Sequence, residues 1–142
     1  MTLAQTIPIT GILVVTTPQD VASNVAVKAI GMFNKLNVPI LGVVENMSFF
    51  TCPNCNDKHY IFGQGGAKKI SEKYNIPFLG EIPLNYGIME GSDKGKPVMI
   101  TAPNSPSAEA FRISAKNIAA QCSILAAKLQ EEMQAEAAPS TR

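Results

Sequence analysis

Gly11-Ile12-Leu13-Val14-Val15-Thr16 and Pro39-Ile40-Leu41-Gly42-Val43-Val44-Glu45 are the two runs that decide the fold. Each is a short, continuous apolar stretch rich in β-branched residues, the pattern of a strand covered on both faces in a parallel sheet. A helical signature lies between them. Thr17-Pro18-Gln19-Asp20 reads as its start, with Thr17 as N-cap, Pro18 at the first helical position and Asp20 completing a T-x-x-D box at the positive helix end. Val21, Val25, Ala29, Phe33 and Leu36 recur at helical spacing and mark the face expected to be apolar. Gly31 weakens this helix by about 1 kcal/mol relative to alanine. Asn37 is a stop signal and Pro39 follows it. Strand, helix and strand within residues 11–45 make a βαβ unit, for which a right-handed crossover is the default.

Downstream of Glu45 the periodicity stops. Residues 46–66 read as a loop without regular structure, and a loop that long in a compact domain is usually functional. It carries Met47, Phe49, Phe50, Cys52, Cys55, His59, Tyr60 and Phe62, so it is expected to bury itself against something, such as a partner subunit. Gly63-Gln64-Gly65-Gly66 then opens a helix over Ala67–Tyr74, ended by Asn75 and Pro77. Phe78–Pro83 reads as a third strand, 85–95 as a short helix with a Gly/Lys-rich turn, and Pro97–Thr101 as a weak fourth strand or extended edge. Ser105-Pro106 caps a last helix with Glu109 in its first turn. Phe111, Ala115, Ile118, Cys122, Leu125 and Leu129 form its apolar seam. Residues 131–142 read as a frayed helix end and a disordered tail. The order of elements is that of an α/β layer fold with one core.

Composition narrows the function classes. The 142 residues suit one domain, and 46% hydrophobic with 16% charged residues is ordinary for a globular chain. A net charge of +1 without a basic stripe argues against nucleic acid as a partner. No apolar run is long enough to span a membrane, and residues 1–10 lack a signal-peptide core. Three cysteines, two of them in a C-x-x-C, indicate metal or redox use in a reducing compartment, which places the chain in the cytoplasm.

The candidate chemistry centres on Cys52-Pro53-Asn54-Cys55. Two thiolates so close can share one metal ion or one cluster edge, and soft sulfur suits zinc and iron–sulfur centres. A closed centre normally needs four ligands. Cys122 lies on the apolar seam and reads as a core residue. Cys52 and Cys55 from two copies of the chain, related by a two-fold axis, would complete the set. The competing readings are a zinc-knuckle remnant, a spare thiol pair, and a redox pair, the last disfavoured because the motif does not start a helix after a strand. His59 gives a C-x2-C-x3-H spacing within reach of zinc, with an exposed loop histidine as the simpler reading. Gly63–Gly66 with Lys68 and Lys69 is not a Walker A loop, and leaves open only a weak anion site at that helix N-terminus. Asn46 closes the second strand at its C-terminal edge, where α/β sheets bind ligands, and an amide can both donate to and accept from a purine edge.

The runs VVTTPQDVA, NVPILGVVENMSFFTCPNC, IFGQGGAKKISEKYNIPFLGEIPL and SDKGKPVMI together resemble the C-terminal part of the Mrp/ApbC family. These are cytosolic iron–sulfur cluster carriers among the MinD-like, deviant-Walker P-loop ATPases. The resemblance implies a [4Fe–4S] cluster held between two subunits by Cys52 and Cys55 and passed to apo client proteins. It also implies an adenine site near Asn46 and Pro83, and slow ATP hydrolysis coupled to cluster loading or release. It makes residues 1–130 the C-terminal part of such a domain, with its C-x-x-C loop at 46–66. Two family signatures are missing: the glycine-rich Walker A loop with two lysines, and the Asp-x-Pro-Pro-Gly-Thr-Gly-Asp switch. The expectation is therefore a fragment or separately encoded half: a partial three-layer P-loop NTPase-like fold with a mostly parallel sheet, lacking the P-loop strand. No catalytic residue is assigned, and ATP hydrolysis by this chain alone is not expected. The missing strand would leave an apolar sheet edge open to a homodimer partner or to a separate N-terminal half. The alternatives are a zinc-bridged dimerisation module and a non-catalytic half of a MinD-like ATPase.

Overall fold

The computed structural model describes residues 6–7 and 9–137. Three strands, β1 (Ile12–Thr16), β2 (Ile40–Glu45) and β5 (Phe78–Glu81), form a parallel sheet in the order β1-β2-β5. Helices α1 (Asp20–Lys35) and α2 (Gly66–Tyr74) cover one face, and α5 (Pro106–Ala137) crosses the other over β2 and β5. Short helices α3 (Tyr86–Asp93) and α4 (Val98–Thr101) lie between β5 and α5 in the chain. The result is the expected α/β layering on a parallel sheet. Asn37 (φ 54°) and Asn75 (φ 51°) end α1 and α2 in the left-handed conformation that asparagine tolerates better than most residues.

Two apolar clusters hold the layers. Val14 and Val43 of the sheet pack with Ala26 and Ile30 of α1 and Ala67 and Ile70 of α2. Val44, Leu79 and Ile82 pack on the other side against Ala110 and Ile118 of α5. Alternation along β2 thus feeds both clusters, and β2 is buried from Leu41 to Glu45. Gly80 (φ 154°) lets α5 approach: a Cβ there would stand 2.2 Å from Ser114 Oγ.

Several expectations are corrected. β1 is not covered on both faces: Val14 and Thr16 are buried, while Val15 is 56% exposed because no helix lies over that side of the edge strand. In α1, Val21 and Val25 are 79% and 63% exposed, and the buried positions are Ala26 and Ile30, one step round the helix. The smaller alanine lets the helix sit down on β1, leaving the valine stripe beside the open sheet edge. Thr17 is not the N-cap. Gln19 holds that position without a side-chain bond, and the Thr17 hydroxyl donates to Gln19 Oε1 instead. The turn is pinned from outside, since a Cβ on Gly66 would come 2.6 Å from the Pro18 carbonyl oxygen.

Pro97–Thr101 is a helical turn, with the Ile100 and Thr101 N–H groups donating to the Pro97 carbonyl at 2.8 and 3.1 Å. A single turn satisfies its own backbone where no strand is offered for pairing. The last helix continues to Ala137, past the expected fray at 131, and residues 138–142 lie outside the described residues. Its seam is only partly buried. Ser107, Ala108 and Ser114 are buried, Ile118 and Cys122 half-buried, Phe111 and Leu129 exposed. A helix of 32 residues runs about 48 Å, whereas a four-residue strand spans about 13 Å, so the helix overhangs the sheet.

Candidate metal centre

The segment 46–66 is not structureless. Its first part runs alongside the chain that leaves β5, with the Ser48 N–H donating to the Ile82 carbonyl (3.0 Å) and the Leu84 N–H to the Phe49 carbonyl (2.8 Å). It then forms a small antiparallel hairpin of β3 (Phe50–Thr51) and β4 (Lys58–His59), in which Phe50 faces His59 and Thr51 faces Lys58. Such pairing satisfies backbone groups that a free loop would leave to water. The Lys58 ammonium lies 4.0 Å from the Phe49 ring centroid, and Phe49 meets Tyr60 edge-on at 6.5 Å. Phe49, Phe50 and Phe62 are half-buried, while Met47, Tyr60 and Ile61 stay exposed.

The hairpin tip carries the thiols. The Cys52 N–H donates to the Asp57 carbonyl and the Asn56 N–H to the Cys52 carbonyl, each at 2.9 Å, which closes the loop at its base. Asn56 takes φ 60°, the left-handed turn position that brings the chain back. Folded so, Cys52 Sγ, Cys55 Sγ and a ring nitrogen of His59 all lie within 4.8 Å of one another. Cys52 is half-buried, and Cys55 and His59 are exposed. Cys122, on α5, is not part of the group.

The knuckle also prepares the Cys52 sulfur for the anionic form. The Cys55 backbone N–H, then that of Asn54, then the Cys55 thiol point hydrogen bonds at it and hold its pKa below the ordinary thiol value. The sign is plain: a lowered pKa keeps the thiolate populated at lower pH, and reactivity fades only below the lowered midpoint. In metal-free protein, the rate of Cys52 alkylation by iodoacetamide should therefore rise with a midpoint below that of a free cysteine under the same conditions. Peptide mass spectrometry across pH reads this directly, and a midpoint at or above that of a free thiol would contradict the hydrogen-bonded knuckle.

Asn46 and Pro83 follow neighbouring strands at their C-terminal ends, but they border different cavities. Pro83 and Cys52 both line a cavity of ≈ 350 Å³ beneath the hairpin. Asn46 borders one of ≈ 480 Å³ along the open β1 edge, with Val15, Val25 and Phe33. The Asn46 side chain accepts from the Met47 N–H at 3.0 Å, leaving its amide nitrogen as a donor.

Sequence reasoning missed Glu45. Its carboxyl group is fully buried, accepting from the Ser48 hydroxyl and from the Ala67 backbone N–H, both at 2.7 Å. The Ala67 N–H belongs to the first turn of α2, so the anion site left open at that helix start is filled from within the chain. An acid closing a buried strand was the available signal. Lys68, next along α2, pairs with Glu81 at 2.8 Å, and that hydrogen bond and charge raise its pKa. With half of the Lys68 side chain exposed, the pair adds little stability.

Comparison with known proteins identifies relatives of this chain. The profile of the ParA-type group described as the NUBPL iron-transfer P-loop NTPase matches residues 1–119. The chain is 47% identical over 125 residues to the iron–sulfur cluster transfer protein NUBPL of Dictyostelium discoideum, covering 88% of this chain and 39% of that one. It is 50% identical over 121 residues to the iron–sulfur cluster carrier protein of Escherichia coli K12, covering 85% of this chain and 33% of that one. The chain thus spans between a third and two-fifths of these relatives. Among solved structures, the cell-division ATPase MinD of Pyrococcus furiosus superposes with a TM-score of 0.58 at 28% identity, over 75% of this chain and 40% of that one.

Proposed function

This chain belongs to the NUBPL iron-transfer P-loop NTPase family, and we propose that it is the cluster-holding part of an iron–sulfur cluster carrier. Its cargo is a [4Fe–4S] cluster, held at the interface of a homodimer by Cys52 and Cys55 of each copy and passed to apo client proteins. One observation carries the reading: two thiols, one already biased towards thiolate, stand together on an exposed, hydrogen-bonded knuckle. Among the described residues no third thiol joins them, so four thiolates require two chains. The apolar surface beside the hairpin, formed by Phe50, Ile61, Leu84, Tyr86 and Met89, suits docking of a second copy.

Nucleotide enters the proposal through the family. Asn46 and Pro83 would border the adenine, in an assembly that also supplies a lysine-bearing phosphate loop. Residues 1–142 contain no such loop, so hydrolysis of ATP is assigned to that assembly and not to this stretch alone. The exposed β1 edge, with Leu13 and Val15, is where an N-terminal half would add its strand. No described helix is long and apolar enough to cross a membrane. Three free cysteines fit a reducing, cytoplasmic setting.

Anaerobic reconstitution with iron and sulfide tests the proposal. The expected result is a brown dimer with about two irons per chain, as one shared four-iron cluster demands. A colourless product with one zinc per two chains would replace the carrier with a zinc-stapled dimer, the reading to which the same four thiolates are equally suited. Protein purified without oxygen is needed, because zinc readily occupies thiolate sites that have lost iron.

A further inference from the structure

We infer that a single chain holds one divalent transition-metal ion by itself, on Cys52 Sγ, Cys55 Sγ and a ring nitrogen of His59, with the fourth position open. The inference rests on the reading of the thiols as a metal-holding pair and adds a third ligand to it. In the hairpin, Phe50 and His59 are directly opposed, so their side chains leave the same face. Cys52 follows Phe50 by two residues, and strand alternation returns it to that face. The two hydrogen bonds that close the loop then carry Cys55 back over Cys52. The donor atoms end within 4.8 Å of one another. Around one tetrahedral ion with zinc-like bond lengths, two sulfurs stand about 3.8 Å apart and sulfur and nitrogen about 3.5 Å. The present spacing exceeds these distances by no more than about 1.0–1.3 Å. Sulfurs bound to separate irons of a cubane are farther apart than sulfurs sharing one ion, so the thiols spread when a cluster replaces the single ion.

The donor set selects the class of ion. Two thiolates and an imidazole favour Zn²⁺, Co²⁺ or Fe²⁺ over Mg²⁺ and Ca²⁺, which take oxygen. Three protein ligands with exposed Cys55 and His59 make an open site, reachable by water or by a ligand from another molecule. Nothing in the described chain competes for the ring, as His59 makes no hydrogen bond there. Two chains then bring six donors to a cluster that uses four, and the histidines are the surplus pair.

Cobalt titration of metal-free, reduced protein tests this, with sedimentation run on the same samples. The expected result is one Co²⁺ per chain on a monomer, with the intense visible bands of four-coordinate cobalt and sulfur-to-metal charge transfer. His59→Ala should weaken Co²⁺ binding at least tenfold and shift the visible bands, as loss of a directly bound ligand requires. The thermal melt of the metal-free variant should match that of wild type, since the ring is exposed. The same variant should still take up about two irons per chain on reconstitution, because the thiols remain. One cobalt per two chains, or unchanged affinity and bands in His59→Ala, would overturn the inference. Wild type that binds one cobalt per monomer but takes up no iron cluster would leave this site standing and sink the carrier reading.

Discussion

Glu45→Ala should destabilise the chain by about 3–5 kcal/mol. The Glu45 carboxyl group is fully buried and ties three pieces of the fold together: the end of β2, the Ser48 hydroxyl, and the Ala67 N–H in the first turn of α2. Removing it strands two buried donors at about 1–3 kcal/mol each and leaves a cavity behind. It also takes an acid away from the positive end of α2, worth up to about 2 kcal/mol when partly buried. These contributions overlap and are not additive. Against a typical total of about 5–15 kcal/mol, the loss is large, and a melting point lower by about 10–17 °C follows for a chain of this length. Glu45→Gln keeps the volume but turns an amide N–H₂ towards one of the two donors, and should fall between wild type and alanine. Urea melts of the three proteins decide the matter. An alanine variant within about 1 kcal/mol of wild type would mean that water replaces the carboxyl group at no cost.

Cys52→Ala or Cys55→Ala should abolish iron retention, from about two irons per chain to essentially none. A two-chain cluster loses two of four thiolates at once when every chain carries the change, and neither His59 nor Cys122 can replace them. His59 lies beside the remaining sulfur but supplies a single neutral donor, and Cys122 is outside the group. Because Cys55 is exposed, its loss should leave the melting temperature of the metal-free chain unchanged, which separates a ligand effect from a folding effect. Cys122→Ala is the matching control and should keep full iron. Iron and sulfide analysis after anaerobic gel filtration reads all three variants. Iron retained at wild-type level in Cys55→Ala would move the cluster off this hairpin. Dimerisation should fail together with iron binding if the cluster bridges the two copies.

The thiol pair was the legible part of the site, since C-x-x-C is a local pattern and the count of sulfurs per chain is read directly. His59 was less legible: its spacing allowed a ligand, but a loop without pairing gave no reason for it to turn towards the sulfurs. The reason is the register of a two-residue hairpin, which opposes Phe50 to His59. For Glu45 the acid closing a buried strand was a signal, but its partner was hidden for a related reason. Its partner Ala67 is 22 positions away, and only the packing of α2 on β2 brings them together.

The order of strands and helices could be read without coordinates because it rests on short-range chemistry. β-branched runs at 12–16 and 40–45, asparagines able to turn left-handed at 37 and 75, and a serine cap at 105 act over a few residues each. Which apolar side chains are covered could not be read that way. Val15, Val21 and Val25 have the same character as buried Val14 and Val43, and differ only in whether another layer lies over them. Burial depends on what else packs at a point in space, and so does the meeting of two cysteines with a histidine. Both are properties of chain segments brought together across the fold, where the spacing of letters carries no distance.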